Sequence, residues 1–110
     1  MLTSNRDEPH FKPDLLLISN ALEVISGKWR LYIILALGEQ TLRYSQLSEL
    51  LPSISEKVLA GELKALVALG VMNRAMYAEI PPRVEYTLTE KGLLALPLLR
   101  QLQQIGQLFT

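Results

Sequence analysis

Residues 52–92, PSISEKVLAGELKALVALGVMNRAMYAEIPPRVEYTLTEKG, decide the fold of this chain. Ser53 with Glu56 three residues on, or Ser55 alone, supplies an oxygen that accepts from the free amide groups at the start of a helix. Leu59, Leu63, Leu66 and Val67 then recur at helical spacing, while Glu56, Lys57, Ala60, Gly61, Lys64 and Ala68 fall on the other face. One face goes to a core and the other stays free. Gly70 supplies the stop. Two extended runs follow, 71–80 and 83–88, and in the second Val84, Tyr86 and Leu88 alternate with Arg83, Glu85 and Thr87. Pro81 and Pro82 cannot donate ladder hydrogen bonds, so they belong at the tip or edge of a hairpin. Thr89 announces a further helix. A helix followed at once by a two-stranded hairpin is the outline of a winged helix-turn-helix.

Towards the N-terminus, Ser45 is expected to cap a short helix, SQLSELL, that Pro52 terminates and whose Leu47, Leu50 and Leu51 face inward. With the helix at about 55–69 it forms a helix-turn-helix pair. Thr41-Leu42 has the length of a short strand, and Arg43 just precedes the short helix, where a phosphate backbone can meet it. Before these, KWRLYIILALG reads as a helix with Trp29, Tyr32, Ile33, Leu35 and Leu37 available for burial. Lys28 at its start is disfavoured by the helix dipole, which gives it a reason to seek a phosphate. Arg83, beside the hairpin tip, has two readings that the residues leave open: a contact to a minor groove, or a cross-strand ion pair with Glu79 or Glu85.

The terminal helices carry more apolar surface than a small domain can cover. DLLLISNALEVIS, with Asp14 as cap, presents Leu15, Leu16, Leu17, Ile18, Ala21, Leu22, Val24 and Ile25 over much more than one stripe. In the last helix, TEKGLLALPLLRQLQQIGQLF, Pro97 predicts a kink or a restart. Beyond it Leu98, Leu102, Ile105 and Phe109 form a seam of coiled-coil type. The expectation is a homodimer whose interface uses Leu15, Ile18 and Leu22 with Leu98, Leu102, Ile105 and Phe109.

At 110 residues the chain has room for one domain, and with 49% hydrophobic residues it has the material for a real core. The fold class expected is mainly α with a small β-hairpin: a domain at 14–110, dimerisation helices at about 14–26 and 89–109, and a flexible arm at 1–13. Eleven basic and eleven acidic residues cancel, so any nucleic-acid surface must come from how the cations are distributed. Without cysteine there is no disulfide, thiol switch or cysteine-based metal site. The single histidine, His10, has no second histidine to complete a metal site. No metal and no cofactor are expected. Neither a membrane-length apolar run nor a signal-peptide pattern occurs, so the expected location is the cytoplasm. An enzyme is not expected: no nucleophile with a base, no paired carboxylates in a recognisable setting and no glycine-rich phosphate loop occur.

The runs ISGKWRLYIILAL, LRYSQLSELLPSISEKVLAGELKALVALGVMNR and YAEIPPRVEYTLTEKG resemble the HxlR-type family of bacterial winged-helix regulators, relatives of the MarR group, over roughly residues 14–106. The resemblance implies a dimeric regulator, read here as a repressor, that binds pseudopalindromic double-stranded DNA with 55–69 as recognition helix in the major groove and 71–88 as wing. By matching positions, Lys28 and Arg43 resemble phosphate-contacting residues, Ser55 and Lys57 the groove-facing start of the recognition helix, and Arg83 the wing residue. The residues expected at DNA are therefore Lys28, Arg43, Ser45, Ser55, Lys57, Ala60, Gly61, Lys64 and Arg83. Two departures stand out. Many members carry a Cys-Pro pair before the first helix where this chain has Lys12-Pro13, and many carry a polar residue where it has Ala60 and Gly61. A small-molecule effector, should the chain take one, is expected near Trp29 and Tyr32, residues that core packing explains equally well. The alternative function is a winged-helix module for protein interaction or ligand sensing, with weak or no DNA binding.

Overall fold

Residues 10–110 are described by a computed structural model; most of the expected arm, residues 1–9, lies outside the described residues. Residues 10–13 are exposed and without regular structure. Then come α1 (Leu15–Ile25), α2 (Arg30–Leu37), β1 (Leu42–Arg43), α3 (Tyr44–Leu50), α4 (Glu56–Ala68), β2 (Met72–Tyr77), β3 (Arg83–Leu88) and α5 (Glu90–Gln107). The expected hairpin is present and gains a third strand. The sheet is antiparallel in the order β1-β3-β2, with Leu42 opposite Tyr86 and Arg43 opposite Glu85.

Side-chain oxygens start α1, α4 and α5 as the sequence suggests. Asp14 Oδ1 accepts from the Leu17 amide at 3.0 Å, Ser55 Oγ from Val58 at 3.2 Å and Thr89 Oγ1 from Gly92 at 3.0 Å, each satisfying an amide that the helix itself leaves free. Gly70 follows α4 with φ of 81°, the left-handed conformation that lets the chain turn directly into β2.

The core sits where α2, α3, α4 and α5 meet the inner face of the sheet. Ile33, Ile34 and Leu37 of α2, Leu47 of α3, and Leu59, Leu63 and Leu66 of α4 are buried against Met72, Tyr86, Leu88 and Leu96. Alternation in the sheet follows the expected pattern: Met72, Arg74 and Met76 lie opposite Leu88, Tyr86 and Val84, all on the face turned to the helices. Asn73, Ala75 and Tyr77, opposite Thr87, Glu85 and Arg83, lie on the other face.

Three local expectations are corrected. Ser45 does not cap α3. The N-cap lies two residues earlier, at Arg43, because the chain leaves β1 already extended there and the Gln46 side chain accepts from the Arg43 amide at 2.8 Å. Neither does Pro97 divide the last helix, which runs unbroken from Glu90 to Gln107. The hydrogen bond that proline cannot donate would have gone to Leu93, an exposed residue whose carbonyl water can serve. Finally, Phe109 lies just past the end of α5, where Leu108 and Phe109 donate back to Ile105 and Gly106 in a tightening last turn.

Candidate nucleic-acid interface

α4 presents Lys57, Ala60, Gly61 and Lys64 on its exposed side, with the capping Ser55 at its start. These five sequence-predicted residues are brought together by one helix face. Gly61 leaves the middle of that face flat, and a Cβ there would have no neighbour within 4 Å, so packing does not demand the glycine. A glycine inside a helix costs about 1 kcal/mol relative to alanine, here with no gain to the core. Close approach of another molecule is the remaining use for it, and the Ala60 methyl beside it can touch a thymine methyl.

α4 is held from two sides, at its start and at its middle. Tyr44, the first residue of α3, donates its hydroxyl to the Glu56 carbonyl at 2.9 Å, fixing the angle between the two helices of the pair. Loss of hydration, then the Glu56 carboxylate and Tyr86, raise the Tyr44 phenol above its ordinary pKa, so it stays protonated and able to donate at neutral pH. On the opposite side of α4, Arg30 Nε donates to Glu62 Oε1 at 2.8 Å, and Arg30 Nη1 donates to the Glu23 carbonyl at 2.8 Å and to Ser26 Oγ at 3.4 Å. One guanidinium therefore ties the end of α1 and the start of α2 to the middle of α4.

The remaining predicted residues stand apart from that face in different ways. Arg43, at the N-cap of α3, and Ser45, in its first turn, are exposed. Lys28 lies in the turn between α1 and α2, its ammonium 4.7 Å from the Trp29 ring centre. Trp29 and Tyr32 stack with centroids 6.0 Å apart. Arg83 takes the ion-pair option: Nη1 is 3.1 Å from Glu79 Oε2, Nε is 3.2 Å from Glu85 Oε2, and the guanidinium lies 4.3 Å from the Tyr77 ring centre. The Nε–H points too far from the Glu85 oxygen for a hydrogen bond, so that contact is electrostatic only. The arginine also lies on the face of the sheet turned away from α4.

Arg74 is the residue that sequence reading missed. It stands opposite Tyr86 on the helix-facing side of β2 and, with Lys64, lines a groove between α4 and the sheet. The signal was available in the register. Once Tyr86 faces inward, every second residue of the partner strand does too, and Arg74 is the charged one.

Around the other end of the molecule the apolar excess is uncovered. Leu15, Ile18 and Leu22 of α1, Leu98 and Ile105 of α5, and Phe109 are exposed, while Leu102 is half-buried. Leu16, Leu17, Leu94 and Leu108 are exposed as well. Among the described residues no group of three or more His, Cys, Asp or Glu side chains is placed to hold a metal, and no helix is long and apolar enough to cross a membrane.

Comparison with known proteins agrees with this geometry. Residues 24–110 match the model of the HxlR-like helix-turn-helix family. An HTH-type transcriptional regulator of Methanothermobacter thermautotrophicus is 38% identical over 89 residues, 81% of this chain and 68% of the relative. The HTH-type transcriptional regulator YtcD of Bacillus subtilis is 44% identical over 75 residues, 68% of this chain and 60% of the relative. Among solved structures, a MarR-family transcriptional regulator of Enterococcus faecalis V583 superposes with a TM-score of 0.78 at 33% identity, covering 94% of each chain.

Proposed function

The chain belongs to the HxlR-like helix-turn-helix family, and from that premise we propose that it acts as a homodimeric repressor on a pseudopalindromic double-stranded operator. It is a DNA-binding transcriptional regulator, in a family of regulators and not of enzymes. The exposed face of α4 carries the proposal: a capped, braced helix whose free side is small in the middle and cationic on either side, at Lys57 and Lys64. In this reading α4 enters the major groove with Ser55, Lys57, Ala60, Gly61 and Lys64, and the start of α3 brings Arg43 and Ser45 to the phosphates. Lys28 adds a phosphate contact from the turn before α2. The wing at 71–88 approaches the minor groove, where Arg83 must exchange a carboxylate for a phosphate to take part.

The test is fluorescence anisotropy of the full chain on labelled DNA from upstream of its own gene, titrated at a series of salt concentrations. Each phosphate neutralised releases counterions, so four cations from each of two subunits give a log–log slope of about −7. Absence of binding at low salt across the upstream region would overturn the proposal. It would favour instead a module for protein interaction or ligand sensing, the reading that the balanced net charge and the ion-paired Arg83 support.

A further inference from the structure

We propose that Arg30 and Glu62 form a strut that fixes the angle between α1 and α4, and that this angle selects the spacing of the operator half-sites. α1 is seated on the body of the chain by its last turn: residues 15–23 are exposed, and Val24 and Ile25 are half-buried. The turn that follows is open. Gly27 has the left-handed φ of 81°, and a Cβ there would meet no atom within 4 Å. Packing alone therefore does little to set the direction of α1, and Arg30 supplies the constraint. Its Nε donates to Glu62 Oε1 at 2.8 Å and its Nη1 to the Glu23 carbonyl at 2.8 Å, one of the last carbonyls that α1 leaves free. Ser26 Oγ donates to the same carbonyl at 3.2 Å and accepts from Nη1 at 3.4 Å. Three segments thus converge on one planar, rigid group, which a lysine could not hold in the same way.

Among the described residues no ion pair or side-chain hydrogen bond joins α1 directly to α4, so this guanidinium is the bridge. In the proposed homodimer α1 belongs to the interface, and its direction decides where the two α4 helices stand relative to one another. With 11 residues α1 is about 16 Å long, so a swing of about 10° at its last turn moves its free end by about 3 Å, close to the rise of one base pair. A shift of that size misplaces the second α4 by a whole step, and engagement of both half-sites at once is lost. The strut suits such a tolerance. Its side chains are only 20% and 26% exposed, where salt screens a charge pair less than on open surface. Glu62 is half-buried and lies off the face that carries Lys57, Ala60, Gly61 and Lys64, so the pair positions α4 without touching DNA. The selection of spacing rests on the DNA-binding reading, whereas the strut itself does not.

The chain has no cysteine, so Lys57→Cys on α4 takes one nitroxide per subunit, and double electron–electron resonance on the full chain without DNA reads the distance between the two α4 helices. A single narrow distance is expected. Glu62→Ala and Arg30→Met in this background should broaden or shift it by about 3 Å, the swing estimated from the length of α1. Glu62→Gln, whose amide oxygen still accepts from Arg30 Nε, should restore it. Circular dichroism checks each fold, and Arg30→Lys, which keeps the charge and loses the fork, replaces a variant that unfolds. A broad distance in the parent, or one unchanged in the variants, would overturn the strut. In a second arm, with Lys57 intact, palindromes with half-sites moved by one base pair are compared. The parent should prefer one spacing about tenfold and Glu62→Ala about twofold, with equal affinity for an isolated half-site. An unchanged spacing preference, or an equal loss at the half-site, would overturn the selection of spacing. A distance that responds to the variants in a chain that captures no DNA upholds the strut and sinks the DNA-binding reading.

Discussion

Gly92 carries no side chain because a Cβ there would stand 2.4 Å from the carbonyl oxygen of Val71 and 3.2 Å from Leu88 Cβ. The same few atoms hold the start of α5 in place. Thr89 Oγ1 accepts from the Gly92 amide, donates to the Gly70 carbonyl at 2.7 Å, and the Thr89 amide donates to Val71 at 3.0 Å. The helix start is thus pinned to the turn that ends α4. Gly92→Ala should push these two backbones apart and cost about 1–3 kcal/mol, the usual penalty for forcing a methyl into a packed site. Urea denaturation followed by circular dichroism measures it, and a loss below about 0.5 kcal/mol, the level of an ordinary surface change, would show that the junction yields easily. Thr89 was legible from the sequence, since a threonine before a helical run is a cap wherever the run lies. The need for Gly92 was not, because it depends on where a distant carbonyl ends up.

At the scale of elements, α4 sets stability against access. A methyl at position 61 would meet no neighbouring atom, so Gly61→Ala should raise stability by about 0.5–1 kcal/mol through backbone entropy and helix propensity. The same methyl would stand on the face proposed to enter the groove. We expect the variant to melt higher and bind operator DNA more weakly, read by thermal denaturation and anisotropy on one preparation. Higher stability with unchanged affinity would mean that DNA does not approach α4 at Gly61. α3, α4 and the β2–β3 hairpin were legible because each carries its own period, 3.6 or 2, within a few residues. The β1–β3 pairing was weakly legible: two residues show no alternation, and their partner lies far along the chain. Arg83 illustrates a different limit. Carboxylate and phosphate satisfy a guanidinium equally well, so only coordinates could place it between Glu79 and Glu85.

On the scale of the whole molecule, the radius of gyration is 17.0 Å, where a compact domain of this length has about 13 Å. The excess fits α1 and α5 carrying apolar side chains that the body does not cover, Leu15 at 78% exposure and Leu98 at 66%. Leucine rows left in water favour association, at about 25 cal/mol for each square ångström removed from it. In the proposed homodimer a second copy would supply matching rows, and a two-fold axis would also place two α4 helices on successive half-sites about 34–36 Å apart, one turn of DNA. Wild-type protein should therefore sediment as a dimer at micromolar concentration, with a melting temperature that rises with concentration. Leu98→Glu, which sets a carboxylate on this surface, should shift sedimentation towards the monomer. In that monomer α4 and its braces at Tyr44 and Arg30 are unaltered, so affinity for an isolated half-site should stay near the wild-type value while the advantage of a full palindrome disappears. A Leu98→Glu protein that remains dimeric, or that keeps its preference for the palindrome as a monomer, would place the interface elsewhere.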